Sequence, residues 1–261
     1  MGKRKEAKIL TLLIILLLAI NYQFFDDKVE NIFSNYQIAE VQRVIDGDTI
    51  EIENSTNVRL LGINTPEKKE LYYEEAKQFL EDRVDKKQVK LEFSKEKYDM
   101  YKRILAYVHI NDSNVNLEII RNGYANFYFP SGRDKYYNDF KNAWIECVNN
   151  NINLCEKSED ECANCIKLKE FDNENEIIKL SNKCYLSCNL TKWSIKDEGR
   201  KRFSFPKYEL GALEDVEIRV ANKTNTNKVL YWKGEDYVWT KAGDTLFLRD
   251  SKGKLVLWSS Y

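Results

Sequence analysis

The chain has one histidine, His109, three prolines and two methionines among 261 residues. A single imidazole excludes sites built on paired histidines, and it leaves a Ser-His-Asp triad only if His109 belongs to it. Few prolines and only ten glycines exclude collagen-like and Pro-rich linker architectures. Cysteine is absent before Cys147 and after Cys188. An excess of charge is missing too: 41 Lys and Arg against 42 Asp and Glu leave a net charge of −1. That is not the basic footprint of a protein that wraps a duplex, so any nucleic acid must be held at a local site. What remains is 43% hydrophobic and 13% aromatic, the composition of a folded chain. Chemistry must therefore run on carboxylates, arginines, lysines, tyrosines or a bound metal.

The chain opens with Lys3, Arg4, Lys5 and Lys8, then an apolar run from Ile9 to Ile20 broken by Thr11. A basic region before an apolar one reads as an export signal. Extended to Phe25, the run reaches the lower limit of a spanning helix, roughly 17–25 residues. Tyr22-Gln23-Phe24-Phe25 offers no small-x-small cleavage site, so residues 1–26 read as an uncleaved anchor in preference to a cleaved signal. Either places the remainder outside the cytoplasm, anchored or secreted.

Six cysteines, Cys147, Cys155, Cys162, Cys165, Cys184 and Cys188, crowd the middle of the chain and mark a junction between a domain over 38–152 and another over 164–261. Cys162-x2-Cys165 followed by Cys184-x3-Cys188 has the outline of a structural zinc site. Outside the membrane an even set of cysteines favours disulfides instead. The expected pairing closes Cys147 on Cys155 and links Cys162 and Cys165 to Cys184 and Cys188.

In the first domain, Val41–Ile45, Thr49–Ile52, Val58–Ile63, Val89–Phe93 and Ile104–Ile110 are β-branched or alternating runs. Helical spacing predicts helices over Glu67–Arg83, Asn114–Arg121 and Asp134–Cys147. This mainly β pattern with interspersed helices predicts a five-stranded barrel of oligonucleotide-binding type with helices packed on it. The second domain carries about seven short strands separated by turns, the pattern of an immunoglobulin-like sandwich.

Three clusters in the first domain carry chemistry: Val44-Ile45-Asp46-Gly47-Asp48-Thr49, Arg59-Leu60-Leu61-Gly62-Ile63-Asn64-Thr65-Pro66-Glu67, and Tyr98-Asp99-Met100-Tyr101-Lys102-Arg103-Ile104. Splitting a phosphodiester needs a nucleophile, neutralisation of charge at phosphorus and help for the departing oxygen. Asp48, Asn64 and Thr65 offer hard oxygen ligands of the kind Ca²⁺ takes. Glu67, held by Pro66, is a candidate base, and Arg59 and Arg103 offer planar forks that match phosphate oxygens. His109, between Val108 and Ile110, reads as structural.

These three motifs, in this order, resemble the staphylococcal nuclease (thermonuclease) family over roughly Ala39 to Ile152. The resemblance implies a phosphodiesterase, endo- or exonucleolytic, with one Ca²⁺ ion. Single-stranded or frayed DNA and RNA are the implied substrates, and 3′-phosphates the products. Asp48 matches the family's calcium carboxylate, Thr65 its calcium-binding carbonyl and Glu67 its general base. Arg59 and Arg103 match its phosphate clamps, Asp46 a supporting carboxylate and Tyr101 a phosphate-side tyrosine. Tyr124, Phe127 and Tyr128 follow Gly123 where the family stacks bases on aromatics. Core packing is the expected role of at least two of them, and Tyr128 is retained as the substrate-side candidate. Asn64 departs from the family, standing where a second calcium carboxylate is usual. One negative charge is lost, which predicts weaker calcium binding.

Trp193-Ser194-Ile195-Lys196-Asp197, Phe203-Ser204-Phe205-Pro206, Leu230-Tyr231-Trp232-Lys233-Gly234 and Leu248-Arg249-Asp250-Ser251-Lys252-Gly253 resemble the lamin tail domain over about Asn164 to Tyr261. That family implies a non-catalytic sandwich, and the basic run Arg200-Lys201-Arg202 is either a solvated turn or a contact for nucleic acid or an acidic envelope. No protein partner is predicted. Two other classes stay open: a nucleic-acid-binding protein weakened in catalysis by Asn64, and an envelope adhesion protein.

Overall fold

The structure, a computed structural model, describes residues 36–261 together with Thr11, Leu13, Leu16, Leu17 and Asn21. The anchor or signal expected over 1–26 lies almost wholly outside the described residues. Among the described residues no helix is long and apolar enough to cross a membrane.

Strands β1 (Tyr36–Asp46), β2 (Thr49–Ile52) and β3 (Thr56–Leu60) form an antiparallel meander. A short β4 (Gly62–Asn64) leads away from it, and β5 (Gln88–Tyr98), β6 (Ile104–Ile110) and β7 (Ser113–Asn114) continue the sheet in the order β3-β2-β1-β5-β6-β7. β3 also pairs in parallel with β6, Val58 opposite Ile104 and Leu60 opposite Ala106. That contact closes β3-β2-β1-β5-β6 into a five-stranded barrel, which leaves few unpaired edges. Val41, Ile50, Val58, Leu60, Leu91 and Val108 alternate inward and are fully buried.

Three helices cover the barrel: α1 (Tyr73–Val84), α2 (Val115–Arg121) and α3 (Tyr137–Asn150). α1 begins six residues later than Glu67. Lys69 (φ 79°) and Tyr72 (φ 69°) are left-handed, which a helix of L-residues does not accommodate, so 67–72 is a run of turns. α2 starts where expected, because the Asn114 side chain accepts from Leu117 N–H at 3.1 Å as an N-cap. α3 starts three residues after Asp134, whose carboxylate accepts from Tyr136 N–H and holds the entry turn. A further strand, β8 (Asn126–Tyr128), pairs with β4.

The second half is a sandwich. β9 (Ile166–Asp172), β10 (Ile177–Asn182), β15 (Asp215–Val220) and β16 (Val229–Trp232) form one four-stranded sheet, ordered β16-β15-β10-β9. β12 (Ser194–Lys196), β13 (Arg202–Ser204), β17 (Thr245–Arg249) and β18 (Leu255–Ser260) form the other, ordered β13-β12-β17-β18. β11 (Cys188–Asn189) and β14 (Glu209–Leu210) make a two-stranded pair. Trp193, Ile195, Leu180, Val216, Leu246 and Leu248 fill the interior. All six cysteines are in disulfides: Cys147–Cys155, Cys162–Cys188 and Cys165–Cys184. The zinc alternative is thereby corrected, since oxidised sulfur cannot ligate as thiolate.

The two halves share an aromatic seam. Phe127 and Trp144 of the barrel side meet Phe247 and Trp258 of the sandwich, with Trp144–Phe247 centroids 5.1 Å apart and Phe127–Phe247 6.2 Å. Truncating one buried ring of this kind typically costs about 3–5 kcal/mol. The face of the β12–β17 sheet that carries Phe247 is therefore fixed against the barrel, and the β12–β13 loop is brought to the barrel's mouth.

Candidate active site

The turn between β1 and β2 sets the first residues of the site. Asp46 accepts from Asp48 N–H at 3.1 Å, closing the turn. A side chain on Gly47 would place its Cβ 2.9 Å from that of Ala76 and 3.0 Å from that of Thr65. Glycine there lets the turn approach α1 and the β4 end closely enough for Asp48 to reach Thr65.

Asp48 is the hub. It is 5% exposed, and its carboxylate accepts from Thr65 N–H at 3.1 Å, Thr65 Oγ1 at 2.9 Å and Thr49 Oγ1 at 3.1 Å. Arg59 Nη2 lies 3.0 Å from the same carboxylate. Arg59 is held in turn by the carbonyls of Leu60 (2.7 Å) and Ile63 (2.9 Å), so its fork is fixed by backbone. Asp46 is pushed up from its ordinary carboxylate range by burial and then by the neighbouring charge of Asp48.

Glu67 sits at the rim, half exposed, one residue past Pro66, with its N–H donating to Glu70. Arg103 immediately precedes β6, the strand that pairs with that of Arg59. In this parallel register Arg59 faces Leu105, two residues past Arg103. Its partners are the Asp99 carboxylate at 2.7 Å and the Tyr101 ring, 5.5 Å from the guanidinium carbon. Tyr101 is exposed.

The structure thus gathers Asp46, Asp48, Arg59 and Thr65 into one hydrogen-bonded cluster, sets Glu67 at its edge, and leaves Arg103 and Tyr101 on the neighbouring strand end. Phe127 is core, and Tyr124 packs on Phe79 with centroids 5.1 Å apart. His109 pairs with Glu92 at 3.1 Å, away from the cluster.

Asn64 is placed differently from its neighbours. Its amide nitrogen donates across the domain junction to the carbonyls of Glu198 (3.1 Å) and Gly199 (2.7 Å). Asn126 donates to the same Glu198 carbonyl at 2.8 Å. The Glu198 carboxylate accepts from Phe129 N–H at 3.1 Å and Thr245 Oγ1 at 2.7 Å, and burial pushes its pKa up to about 7. Gly199 lies against Tyr128, whose ring a Cβ at 199 would approach to 3.4 Å. The loop ends with Arg200, whose Nε is 2.7 Å from Glu67 Oε1, and Arg202, 3.1 Å from Glu70.

This second-domain loop was not among the site residues expected from sequence. The only signal for it was the basic run 200–202, which lies in the other domain, more than ninety positions past the last nuclease motif.

A closed five-stranded barrel with an acid–guanidinium cluster at its mouth and a glutamate on its rim defines the class: an oligonucleotide-binding-type barrel with a site suited to phosphate. The family model described as "Staphylococcal nuclease homologue" matches residues 57–157, and that of the Lamin Tail Domain matches 159–261. A thermonuclease of Staphylococcus intermedius is 34% identical over 126 residues, 45% of this chain and 75% of that protein. One from Staphylococcus hyicus is 35% identical over 109 residues, 38% of this chain and 64% of its own. An uncharacterized endonuclease of Haemophilus influenzae is 35% identical over 101 residues, 37% of this chain and 56% of its own. The chain belongs to the staphylococcal nuclease family and carries a lamin tail domain after the nuclease region.

Proposed function

We propose that the chain is an extracytoplasmic, calcium-dependent nuclease that hydrolyses single-stranded or frayed DNA and RNA to 3′-phosphate products. We take its nuclease unit as residues 38–152 and its tail unit as 164–261. The observation that carries this reading is the cluster of Asp48, Arg59 and Thr65 beside Glu67, formed from residues spread over three strand ends. The relatives named thermonuclease and endonuclease support the same chemistry.

The donors suit a hard cation of modest affinity. Asp48 brings one carboxylate, Thr65 a backbone carbonyl and Asn64 an amide oxygen, its nitrogen being already engaged. Among the described residues no group of three or more acidic, His or Cys side chains is close enough to hold a metal. The three donors carry one formal negative charge between them, which suits millimolar extracellular calcium. When bound, Ca²⁺ would neutralise charge developing on the phosphate.

Glu67 acts as general base, taking a proton from the water that attacks phosphorus in line. Arg59 holds the phosphate, its fork already oriented by the Leu60 and Ile63 carbonyls. Arg103 assists the departing 5′-oxygen from the adjacent strand, and Tyr101 and Tyr128 flank the strand's path. Three disulfides, stable in oxidising compartments, and the basic-apolar N-terminus support a location outside the cytoplasm, anchored or released.

A nuclease assay on single-stranded DNA and RNA with millimolar calcium, set against a chelator, tests the reading. Calcium-dependent cleavage leaving 3′-phosphate ends is expected. Binding without cleavage in either condition would overturn it.

A further inference from the structure

The tail-domain face turned toward the barrel carries three cations around one cavity. Lys196 on β12 and Arg202 on β13 are direct partners across the antiparallel pair. Arg249 on β17 is opposite Ser194, two residues from Lys196 and on the same face. The three side chains line a cavity closed on the nuclease side by Asn64, Pro66 and Glu70.

Of the three cations only Arg202 has an ion-pair partner among the described residues, Glu70. A like-charge pair directly across two strands costs stability. Arg249 is 7% exposed, yet among the described residues its side chain donates only to the carbonyls of Leu154 and Gly253. The Lys196 side chain, on a partly buried residue, has no hydrogen bond or ion pair among the described residues, and Glu70, paired with Arg202, is the one carboxylate in the lining. Buried cations are ordinarily paired. Burial holds the Lys196 ammonium below its usual range and lowers Arg249 to about 10, the shifts an anion in the cavity would reverse.

We propose that this junction cavity is a phosphate subsite of the nuclease, in which Lys196, Arg202 and Arg249 of the tail domain hold the phosphate next to the scissile one. The proposal rests on the nuclease reading, because Pro66 of the lining adjoins Glu67, and Arg200 of the same tail loop touches that glutamate. Asn64 and Pro66 line the cavity and flank Thr65, which hydrogen-bonds to Asp48, so a strand held at Asp48 and Arg59 runs beside the cavity. The tail domain is by this account part of the substrate-binding surface.

The test compares the full chain with Arg202→Gln, which alters a half-exposed side chain, and with Lys196→Met. Cleavage of a single-stranded octanucleotide and of a dinucleoside monophosphate, which has one phosphate only, is measured in calcium. Anisotropy titration of a labelled octanucleotide in chelator, from 50 to 200 mM salt, gives binding independently of turnover. Inorganic phosphate is titrated as competitor in the same format.

Each variant is expected to raise KM for the octanucleotide 5- to 50-fold with kcat within twofold. The magnitude of the salt slope should fall by about 0.7, one phosphate contact on a single strand. Dinucleotide cleavage should be unchanged. Unaltered octanucleotide KM and salt slope, or equal losses on both substrates, would overturn the proposal. Phosphate competing with wild type but not with Lys196→Met supports the subsite, and competition equal in both counts against it. Wild type that neither cleaves nor binds the octanucleotide sinks the nuclease reading and this one together; cleavage with unaffected variants sinks this one alone.

Discussion

Replacing Asn64 by aspartate restores the carboxylate that the family usually carries, and charge counting alone predicts a better enzyme. The geometry predicts a weaker junction. The Asn64 amide donates two hydrogen bonds to the Glu198 and Gly199 carbonyls, each worth about 1 kcal/mol net. Asn64→Asp removes both and points a buried carboxylate oxygen at two carbonyl oxygens. The new group relieves that only by taking up a proton, which at pH 7 costs up to about 4 kcal/mol from an ordinary pKa near 3.9. A loss of about 3–4 kcal/mol in junction stability follows, shrinking as pH falls toward 4. Urea denaturation in chelator at pH 7 and pH 4.5 measures it, with limited proteolysis across residues 151–161 reporting separation of the halves. Equal midpoints for variant and wild type at pH 7 would refute the reasoning. So would a deficit that grows on acidification.

Arg59→Lys should lose most activity, because an ammonium cannot span the Asp48, Leu60 and Ile63 oxygens and grip a phosphate as well. Single-turnover kinetics within threefold of wild type would contradict this. Asp197 and Glu198 are both raised to about 7, chiefly by burial. The folded state therefore binds their protons more tightly than the unfolded chain. Their contribution is fully present below the unfolded carboxylate range and is lost as pH rises through about 7. His109, lowered first by burial, titrates with the opposite sign, so the slope of Tm between pH 5 and 8 is compared with that of Glu198→Gln. Wild type should fall more steeply with pH than the variant; parallel slopes would count against it. Removing Cys162–Cys188 as a Ser pair frees a separation of 26 residues and should cost the tail domain about 3–4 kcal/mol by loop entropy, read from denaturant midpoints. A loss below about 1 kcal/mol would disagree.

The barrel was legible because its strands alternate: Val41, Ile50, Val58, Leu91 and Val108 point inward at period two, and the sheet order closes on them. The start of α1 was not, because the left-handed backbone at Lys69 and Tyr72 depends on surrounding turns more than on residue type. β9 is hard to read in the sequence because a register shift opposite Lys179 and Leu180 breaks the alternation of Ile166, Leu168 and Phe171. Spacing and compartment pointed to disulfides and to the two groups of cysteines, but not to Cys162 joining Cys188 and Cys165 joining Cys184, which depends on the docking of distant strands. Within the site, Asp46, Asp48, Arg59 and Thr65 were readable as motif residues, since the turn and strand end that join them are local in sequence. The role of the Asn64 nitrogen was not, because its partners lie 134 and 135 positions away. The contacts of Arg200 and Arg202 were hidden for the same reason: domain docking, set by Trp144 and Phe247, leaves no short-range trace.

The central claim is that the cluster around Asp48 is a phosphodiester-hydrolysing centre with Glu67 as its base. Cleavage rates of wild type and Glu67→Gln on the same single-stranded substrate, at saturating calcium and under single-turnover conditions, test it most directly. The account predicts a fall of about 10²–10⁴ with substrate binding retained. Equal rates for the two proteins would contradict it.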